Sequence, residues 1–292
     1  MNKSASTAKP MNRFSNSMVM LIFLFCTAVN AKPFAELFSS AFRSAAFVMP
    51  SVDELRQVQN AYQSELTGRP ISNAWETLKI QRIVQNDVLY LVEANDHRKG
   101  RGLFAVHNGV GVKPWLIQAP HAKSDKYTGR IASQVFAESN AKAAMWNSVP
   151  RKTRAGNTTA DMAHLNGTYW QTVTEVFARH YVDGRIIQLH GFDQSKRQSA
   201  AGRDSDIIIS AGNQHPPHWV QAFASCLKKT MSVKVSLYPF DVQELGATTN
   251  VQNHLLQRLG FNGFVHIEMS LPVRKHLKTS AKFRTLFLDC LQ

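Results

Sequence analysis

Cysteine is scarce in this chain of 292 residues, which has three: Cys26, Cys226 and Cys290. No two of them form a C-x-x-C pair, so a zinc site made of cysteine thiolates is not expected. No G-x-S-x-G motif is present either, which argues against a serine hydrolase of the α/β type. The 34 basic residues are scattered and form no block interleaved with aromatics, so we expect no nucleic-acid partner.

Long hydrophobic runs are also missing, because the apolar stretch MVMLIFLFCTAV at residues 18–29 is too short for a comfortable membrane span. Lys3, Lys9 and Arg13 precede it, and the small residues VNA follow it. This order is typical of a secretory signal cut after Ala31, with an uncleaved anchor as the alternative. We therefore expect a signal peptide at 1–31, a single domain at 32–292, and a periplasmic or secreted protein without a stable membrane span.

Signal cleavage would change both the charge and the number of thiols. The formal net charge is +14, and +11 remains once the three basic residues of the leader are removed. For an exported protein this balance favours an anionic envelope surface or an acidic substrate as the partner. Cys226 and Cys290 would then be the only cysteines, in a compartment that permits disulfides, which predicts a bond between them. Two buried free thiols are the alternative.

The apolar pattern predicts one α/β domain. Helical spacing extends through residues 52–85 with a break at GRP, and two strands, DVLYLVEA and GLFAVHNG, then flank a polar turn. Beyond this hairpin come strand WLIQA, a helix over 131–146, a helix near TYWQTVTEVFARHY, strands RIIQLHGF and DIIISAGN, helix PPHWVQAFASCLKKT, strand VKVSLYPF, helix NVQNHLLQRLG, strand FVHIEMS and a closing helix. The order predicts a largely parallel mixed sheet with helices on both faces and an N-terminal antiparallel hairpin.

Polar side chains follow the ends of several predicted strands. These are His121 with Asp125 after WLIQA, His190 in RIIQLH, Asn213 after DIIISAG, and Glu268 in FVHIEMS. In open α/β sheets the ligand site lies beyond the carboxyl ends of the strands. Two imidazoles and one carboxylate are the donors of a hydrolytic zinc site, and a separate glutamate can act as its base. The pattern predicts a Zn²⁺ site at this edge, with Asn213 as a substrate contact.

Each residue also has a structural interpretation. His121 can cap a turn after its proline, and Asp125 lies in SDKYTG, which is rich in turn formers. Glu268 can pair with Arg274, and His266 on the same strand face is better explained as a hydrogen-bonded core histidine. His190 is harder to explain in this way, because a buried histidine needs a partner.

Three segments together carry a family resemblance: PHAKSDKYTG, IIQLHGF and FVHIEMSLPVR. In their order over residues 115–277 they resemble the zinc-dependent hydrolases of the phosphorylase/hydrolase-like fold. That group includes zinc carboxypeptidases, N-formylglutamate amidohydrolases and N-acetylmuramoyl-L-alanine amidases.

The resemblance implies roles for the residues at the strand ends. His121 with Asp125 and then His190 become the metal ligands, and Glu268 becomes the general base. The first pair is spaced H-x-x-x-D here, whereas carboxypeptidases use H-x-x-E. The peptidoglycan amidases take their glutamate from further along the chain, which makes Glu138 the alternative carboxylate ligand.

The resemblance also implies contacts to the substrate. Arginines bind substrate carboxylates in this group, so Arg274 and either Arg151 or Arg154 are candidates, with solvated surface charge as the alternative for the last two. Asp161 and His164 in ADMAH are expected to line the cleft or to orient a metal-binding histidine.

We therefore expect an exported zinc amidohydrolase or peptidase that cleaves an amide bond in peptidoglycan or in a glutamate-containing peptide. The alternative is a metal-free envelope protein that keeps the fold and binds anionic polymers through its positive charge. The sequence does not specify the oligomeric state.

Overall fold

The computed structural model describes residues 1–2, 34–43 and 46–292. The predicted signal peptide falls almost wholly outside these described residues, so the leader and its cleavage stay predictions. Lys32 to Gln292 form one compact unit, which holds the helices and strands given below.

Helices and strands alternate along most of the described chain. The helices are α1 (Phe34–Ala41), α2 (Val52–Leu66), α3 (Ala74–Thr77), α4 (Thr128–Ser139), α5 (Tyr169–His180), α6 (Ala200–Asp204), α7 (His218–Thr230), α8 (Val251–Arg258), α9 (Leu271–Thr279) and α10 (Ala281–Cys290), with a 3₁₀ turn at Gln194–Lys196. The strands are β1 (Ile80–Gln85), β2 (Val88–Glu93), β3 (Leu103–His107), β4 (Lys113–Ala119), β5 (Ala141–Trp146), β6 (Arg154–Ala155), β7 (Thr158–Thr159), β8 (Arg185–Gly191), β9 (Ile207–Ser210), β10 (Val235–Leu237) and β11 (Phe264–Met269).

In the described part of the chain, nine strands form one sheet in the order β1-β2-β3-β5-β4-β8-β11-β9-β10. The central strands β5, β4, β8 and β11 run parallel to one another. Strands β1 to β3 add antiparallel pairs at one side, and β9 runs antiparallel to β11. The predicted α/β class, with its mixed sheet and N-terminal antiparallel hairpin, is confirmed.

The two faces of the sheet carry separate apolar cores. On β8, Ile187 and Leu189 pack on the side of α4, α7, α9 and α10, whereas Ile186 packs on the side of α2, α5 and α8. Successive side chains on a strand point to opposite faces, so Gln188 and His190 share the face of Ile186. Polar residues therefore replace apolar ones toward the end of β8 on one face only, the face of α5 and α8.

Three predicted helices differ from the structure. The helix predicted over 131–146 ends at Ser139, where Asn140 turns the backbone at φ 55°, and continues as β5. The helical pattern through residue 85 likewise hides β1, which pairs with β2. The closing helix is two helices, because Ser280 ends α9 and caps α10. AKAAMW is rich in good helix formers, so its pairing with β4 overrides local propensity.

The predicted disulfide is present. Cys226 of α7 and Cys290 of α10 are bonded, with 5.5 Å between their Cα atoms. The bond holds two helices together on the face of the sheet opposite to His190. Among the residues that the structure describes, no helix combines the length and apolarity needed to cross a bilayer.

Candidate metal centre

Three parallel strands deliver the predicted site residues to one edge of the sheet. His121 follows β4 by two residues, and His190 and Glu268 lie directly opposite each other near the ends of β8 and β11. Because β4 and β8 are neighbours, the imidazole rings of His121 and His190 meet edge to face, 4.8 Å apart. The structure thus brings together residues that lie up to 147 positions apart in the chain.

Asp125 joins the two histidines. Its Oδ2 atom lies 3.3 Å from Nδ1 of His121 and 3.7 Å from Nδ1 of His190. The backbone N–H of Asp125 donates to the carbonyl of His121, closing one turn of chain that puts the two side chains on the same side. The N–H of Gly191 donates to Oδ2 at 3.0 Å and fixes the carboxylate. The H-x-x-x-D spacing therefore suits this turn.

Asp161 lies behind His121. Its Oδ1 atom is 2.7 Å from Nε2 of His121, so that nitrogen donates to the carboxylate and Nδ1 faces Asp125. Burial opposes a charge on His121, but the carboxylates of Asp125 and Asp161 raise its pKa to about 9. Burial also opposes a charge on Asp161, but the hydrogen bond from His121 lowers the pKa of Asp161. A carboxylate in this position orients a metal-binding imidazole.

Glu268 and His266 close the other side of the group. Oε1 of Glu268 lies 3.7 Å from Nε2 of His266, and Oε2 has no hydrogen-bond partner among the described residues. Burial, together with the charge of Asp125, raises the pKa of Glu268 to about 8. Burial lowers the pKa of His266 to about 3, so this imidazole is neutral. Glu268 is thus a buried carboxyl that can exchange a proton near neutral pH.

The donors fit a divalent metal such as zinc. Two groups of three side chains could each hold an ion, because in each group the ligand atoms lie within 4.8 Å of one another. The first group is His121, Asp125 and His190, and the second is His190, His266 and Glu268. Nδ1 of His121 is buried without a hydrogen bond among the described residues, which is a cost that coordination would remove. Burial lowers the pKa of His190 well below its usual value, which leaves its imidazole neutral as a ligand must be.

The group opens into a cleft of about 990 Å³. Five basic side chains line it: Lys126, Arg151, Lys196, Arg197 and Arg274. Among the described residues, the partly exposed guanidinium of Arg151 has no ion-pair partner. Exposed His164 also lines the cleft and lies 3.2 Å, through Nδ1, from the carbonyl oxygen of Thr249. The cleft is therefore suited to an anionic ligand.

Arg274 lines the cleft but is hydrogen-bonded to the backbone. Its guanidinium donates to the carbonyls of Met269, Lys126 and Phe192 at 3.0, 2.8 and 3.1 Å. The side chain therefore holds together the chain segments that end β11 and follow β4 and β8. No ion pair within 4.0 Å joins it to Glu268 among the described residues, so the structure does not support the alternative in which these two residues form a structural pair.

Two candidates lie elsewhere. Glu138, the alternative carboxylate ligand, is at the end of α4, where Arg284 donates to both of its oxygens. Asn213 follows β9, and because β9 runs antiparallel to β11 its end lies at the opposite edge of the sheet from Glu268. The Asn213 side chain accepts from the N–H of His215 in a local turn. Neither residue lines the cleft, so these two site assignments are corrected.

Some residues of the candidate site are not predicted by the sequence. The sequence favours His266 as a core histidine, whereas the structure places it in the lining of the cleft beside His190, with 4.5 Å between their ring centres. Gln188 accepts a hydrogen bond from His190, and Asn250 donates to Gln188. The position of Gln188 is a signal that the sequence does offer. It is a polar residue in an apolar strand, and because it lies two residues before His190 it shares the same face of the sheet.

No protein-family model and no curated protein matches this chain. Solved structures do resemble it. A gene product from Agrobacterium tumefaciens is 16% identical, with 64% of this chain and 94% of the other covered and a TM-score of 0.43. A succinylglutamate desuccinylase from Vibrio parahaemolyticus is 9% identical, with 74% and 77% covered and a TM-score of 0.41.

A metallo-carboxypeptidase from Burkholderia cenocepacia is 10% identical, with 77% of this chain and 67% of the other covered and a TM-score of 0.40. Its name is that of a carboxypeptidase, one of the classes of hydrolase that the three sequence motifs resemble. At these identities and TM-scores none of the activities is transferred to this chain. The functional assignment therefore depends on the geometry of the site.

Proposed function

We propose that this protein is an exported zinc-dependent hydrolase that cleaves an amide bond in an anionic, peptide-like substrate. The observation that supports it most is the convergence of His121 and His190, through Nδ1, on one oxygen of Asp125, within a cleft that Glu268 also lines. The disulfide and the signal-like leader support export.

His121, Asp125 and His190 would hold the metal. When bound, zinc supplies a Lewis acid that polarises a carbonyl and acidifies a water molecule. Asp161 keeps the ring of His121 turned so that Nδ1 faces the site. The N–H of Gly191 donates to the Asp125 carboxylate and holds it in place. Gly191 ends β8 and Asp161 lies in the loop between β7 and α5, so two separate parts of the chain orient the ligands.

Glu268 would move the proton. Its Oε2 atom is buried and without a partner among the described residues, so it is available to accept a proton from water. A carboxyl whose pKa burial raises to about 8 can then donate that proton to the leaving amine. His266 stays neutral beside it and does not neutralise the carboxylate.

The substrate would carry a carboxylate. Arg151 lies partly exposed in the cleft and is able to form a bidentate pair with such a group. The exposed Lys126 and Lys196 add positive charge near the same opening. A glutamate-containing peptide, or the stem peptide of peptidoglycan, has the amide bonds and the negative charge that this cleft requires.

A second candidate is metal-free binding of an anionic envelope polymer. It is favoured by the same basic cleft and by the net charge of +11 that would remain after signal cleavage. This alternative requires no catalytic residue, so it predicts that neither chelation nor the loss of Glu268 affects function.

The test is an assay of amine release from glutamate-containing peptides and from isolated peptidoglycan, before and after chelation. We expect chelation to abolish hydrolysis and added zinc to restore it. Glu268→Gln should keep its metal and lose roughly two to four orders of magnitude in rate. Glu138→Gln is the matched control and should match the wild type. Binding of peptidoglycan without hydrolysis, unchanged by chelation, would support the second candidate instead.

A further inference from the structure

A hydrogen-bonded chain of three buried amides and one hydroxyl runs beneath His190 on the face of the sheet that packs against α5 and α8. It consists of Thr174, Gln118, Gln188 and Asn250, which we call the amide chain. The side chains of its members are inaccessible to solvent, at 0–2% exposure. Buried amides are rarely left unpaired, so the direction of each hydrogen bond can be followed from its ends.

The first end is on α5. The Thr174 hydroxyl has one proton, which it donates to the carbonyl of Trp170 at 2.8 Å. Its oxygen is then left to accept, and Nε2 of Gln118 donates to it at 2.9 Å. The carbonyl oxygen of the Gln118 side chain therefore faces Gln188, whose Nε2 donates to it at 2.8 Å.

The second end is on α8. Asn250 caps this helix, and its Oδ1 atom accepts from the N–H groups of Gln252 and Asn253. Its Nδ2 atom therefore points the other way and donates to Oε1 of Gln188 at 2.6 Å. Both ends demand the same orientation of Gln188, although they are anchored on different helices.

His190 is the remaining partner of Gln188. Its Nε2 atom lies 2.9 Å from Oε1 of Gln188, and a carboxamide oxygen can only accept. Nε2 must therefore carry the imidazole proton, which leaves the lone pair on Nδ1, the atom that faces Asp125. We infer that the amide chain sets the tautomer of His190, so that Thr174 and Asn250 act as positioning residues for a metal that neither residue touches.

The inference rests on the proposed function only in naming the metal, and it has a stoichiometric consequence. Two close-set groups contain His190, one with His121 and Asp125, the other with His266 and Glu268. With Nε2 protonated, His190 has one lone pair to give. The two groups therefore cannot each hold an ion through His190, and one metal per chain is expected.

Asn250→Asp tests the direction of the chain. Aspartate caps helices as well as asparagine does, so α8 should be retained. In this variant a carboxylate oxygen takes the place of the Asn250 amide nitrogen, so it needs a hydrogen-bond donor from Gln188 instead of supplying one. The side-chain amides of Gln188 and Gln118 must then both flip. The Thr174 hydroxyl can follow by rotating its proton onto Gln118. Nε2 of His190 then faces an N–H group, and the proton moves to Nδ1.

The tautomer is measured in the metal-free protein by ¹⁵N NMR of the imidazoles, with His190→Gln assigning the signals. Zinc affinity is measured by competition with a chelator. We expect the Nε2–H form in the wild type and the Nδ1–H form in Asn250→Asp, which should bind zinc roughly 10- to 100-fold more weakly. Asn166→Asp, an exposed change of equal charge, should alter neither.

Charge alone predicts the opposite result, because an added carboxylate near the site attracts a cation. Unchanged tautomer with equal or tighter zinc binding in Asn250→Asp would therefore overturn the inference. Gln188→Met is a second variant, and it removes the oxygen that accepts from Nε2 of His190. Both tautomers of His190 should then appear. If only the Nε2–H form were seen, the inference would also be overturned. Since the tautomer is measured without metal, the amide chain is tested even if the protein proves not to be a hydrolase.

Discussion

Replacing Arg274 with methionine should destabilise the whole fold. Arg274 is 6% exposed, and its guanidinium donates to three backbone carbonyls, those of Met269, Lys126 and Phe192. These carbonyls belong to the segments at the ends of three central strands. Methionine matches the length of the stem but leaves all three acceptors without their donor.

The magnitude follows from those bonds. A hydrogen bond from a charged donor contributes about 1.5–3 kcal/mol, and an acceptor left buried without a partner costs about 1–3 kcal/mol. Burial lowers the pKa of Arg274, so desolvation of the guanidinium offsets part of the gain, and water from the cleft can reach some of the freed carbonyls. We expect a net loss of about 3–5 kcal/mol in the free energy of unfolding.

Urea unfolding of the metal-free protein, with the disulfide intact, measures this loss. Arg258→Met, an exposed change on α8, is the control and should stay within about 0.5 kcal/mol of the wild type. Arg274→Lys should recover only part of the stability, because one ammonium cannot reach three separated carbonyls. If Arg274→Met were as stable as the control, Arg274 would be free to act as a substrate contact and the bracing role would be refuted.

Three further outcomes are expected. Burial raises the pKa of Glu93 above its ordinary 4.5, so the folded chain keeps a proton that the unfolded chain releases. The free energy of unfolding should therefore fall as pH rises above about 4.5. Glu93→Gln should reduce this slope in urea titrations at several pH values. Thiol titration of the unfolded, unreduced full-length chain should detect Cys26 alone, with Cys226 and Cys290 reacting only after reduction. Thr168→Ala should remove the cap of α5 and lower the free energy of unfolding by about 1 kcal/mol in the same urea assay.

The convergence of the candidate site residues could be predicted where the local sequence pattern and the geometry of the sheet agree. His121, His190 and Glu268 each close an apolar strand, and the carboxyl ends of neighbouring parallel strands meet at one edge. Asn213 satisfied the same local pattern, but β9 is reversed, and strand direction depends on long-range pairing that no short window encodes. Glu138, the alternative carboxylate ligand, instead pairs with Arg284, which lies 146 positions away in the chain.

The fold shows the same division between local and long-range information. The alternation of strands and helices predicted the α/β class, whereas β5 looked helical because its Ala, Lys and Met residues are good helix formers. Its strand conformation comes from pairing with β4 on one side and β3 on the other. The amide chain beneath His190 likewise involves α5 and α8, which periodicity predicts as helices without indicating that their polar residues meet.

His121, Asp125 and His190 are the proposed metal ligands, and elemental analysis of the purified protein decides whether they bind zinc. The geometry predicts about one zinc ion per wild-type chain and almost none in Asp125→Asn or His190→Ala, with Glu138→Gln equal to the wild type. Circular dichroism should show that the variants remain folded. Equal zinc in the wild type and in His190→Ala would contradict the assignment of this group as the metal centre.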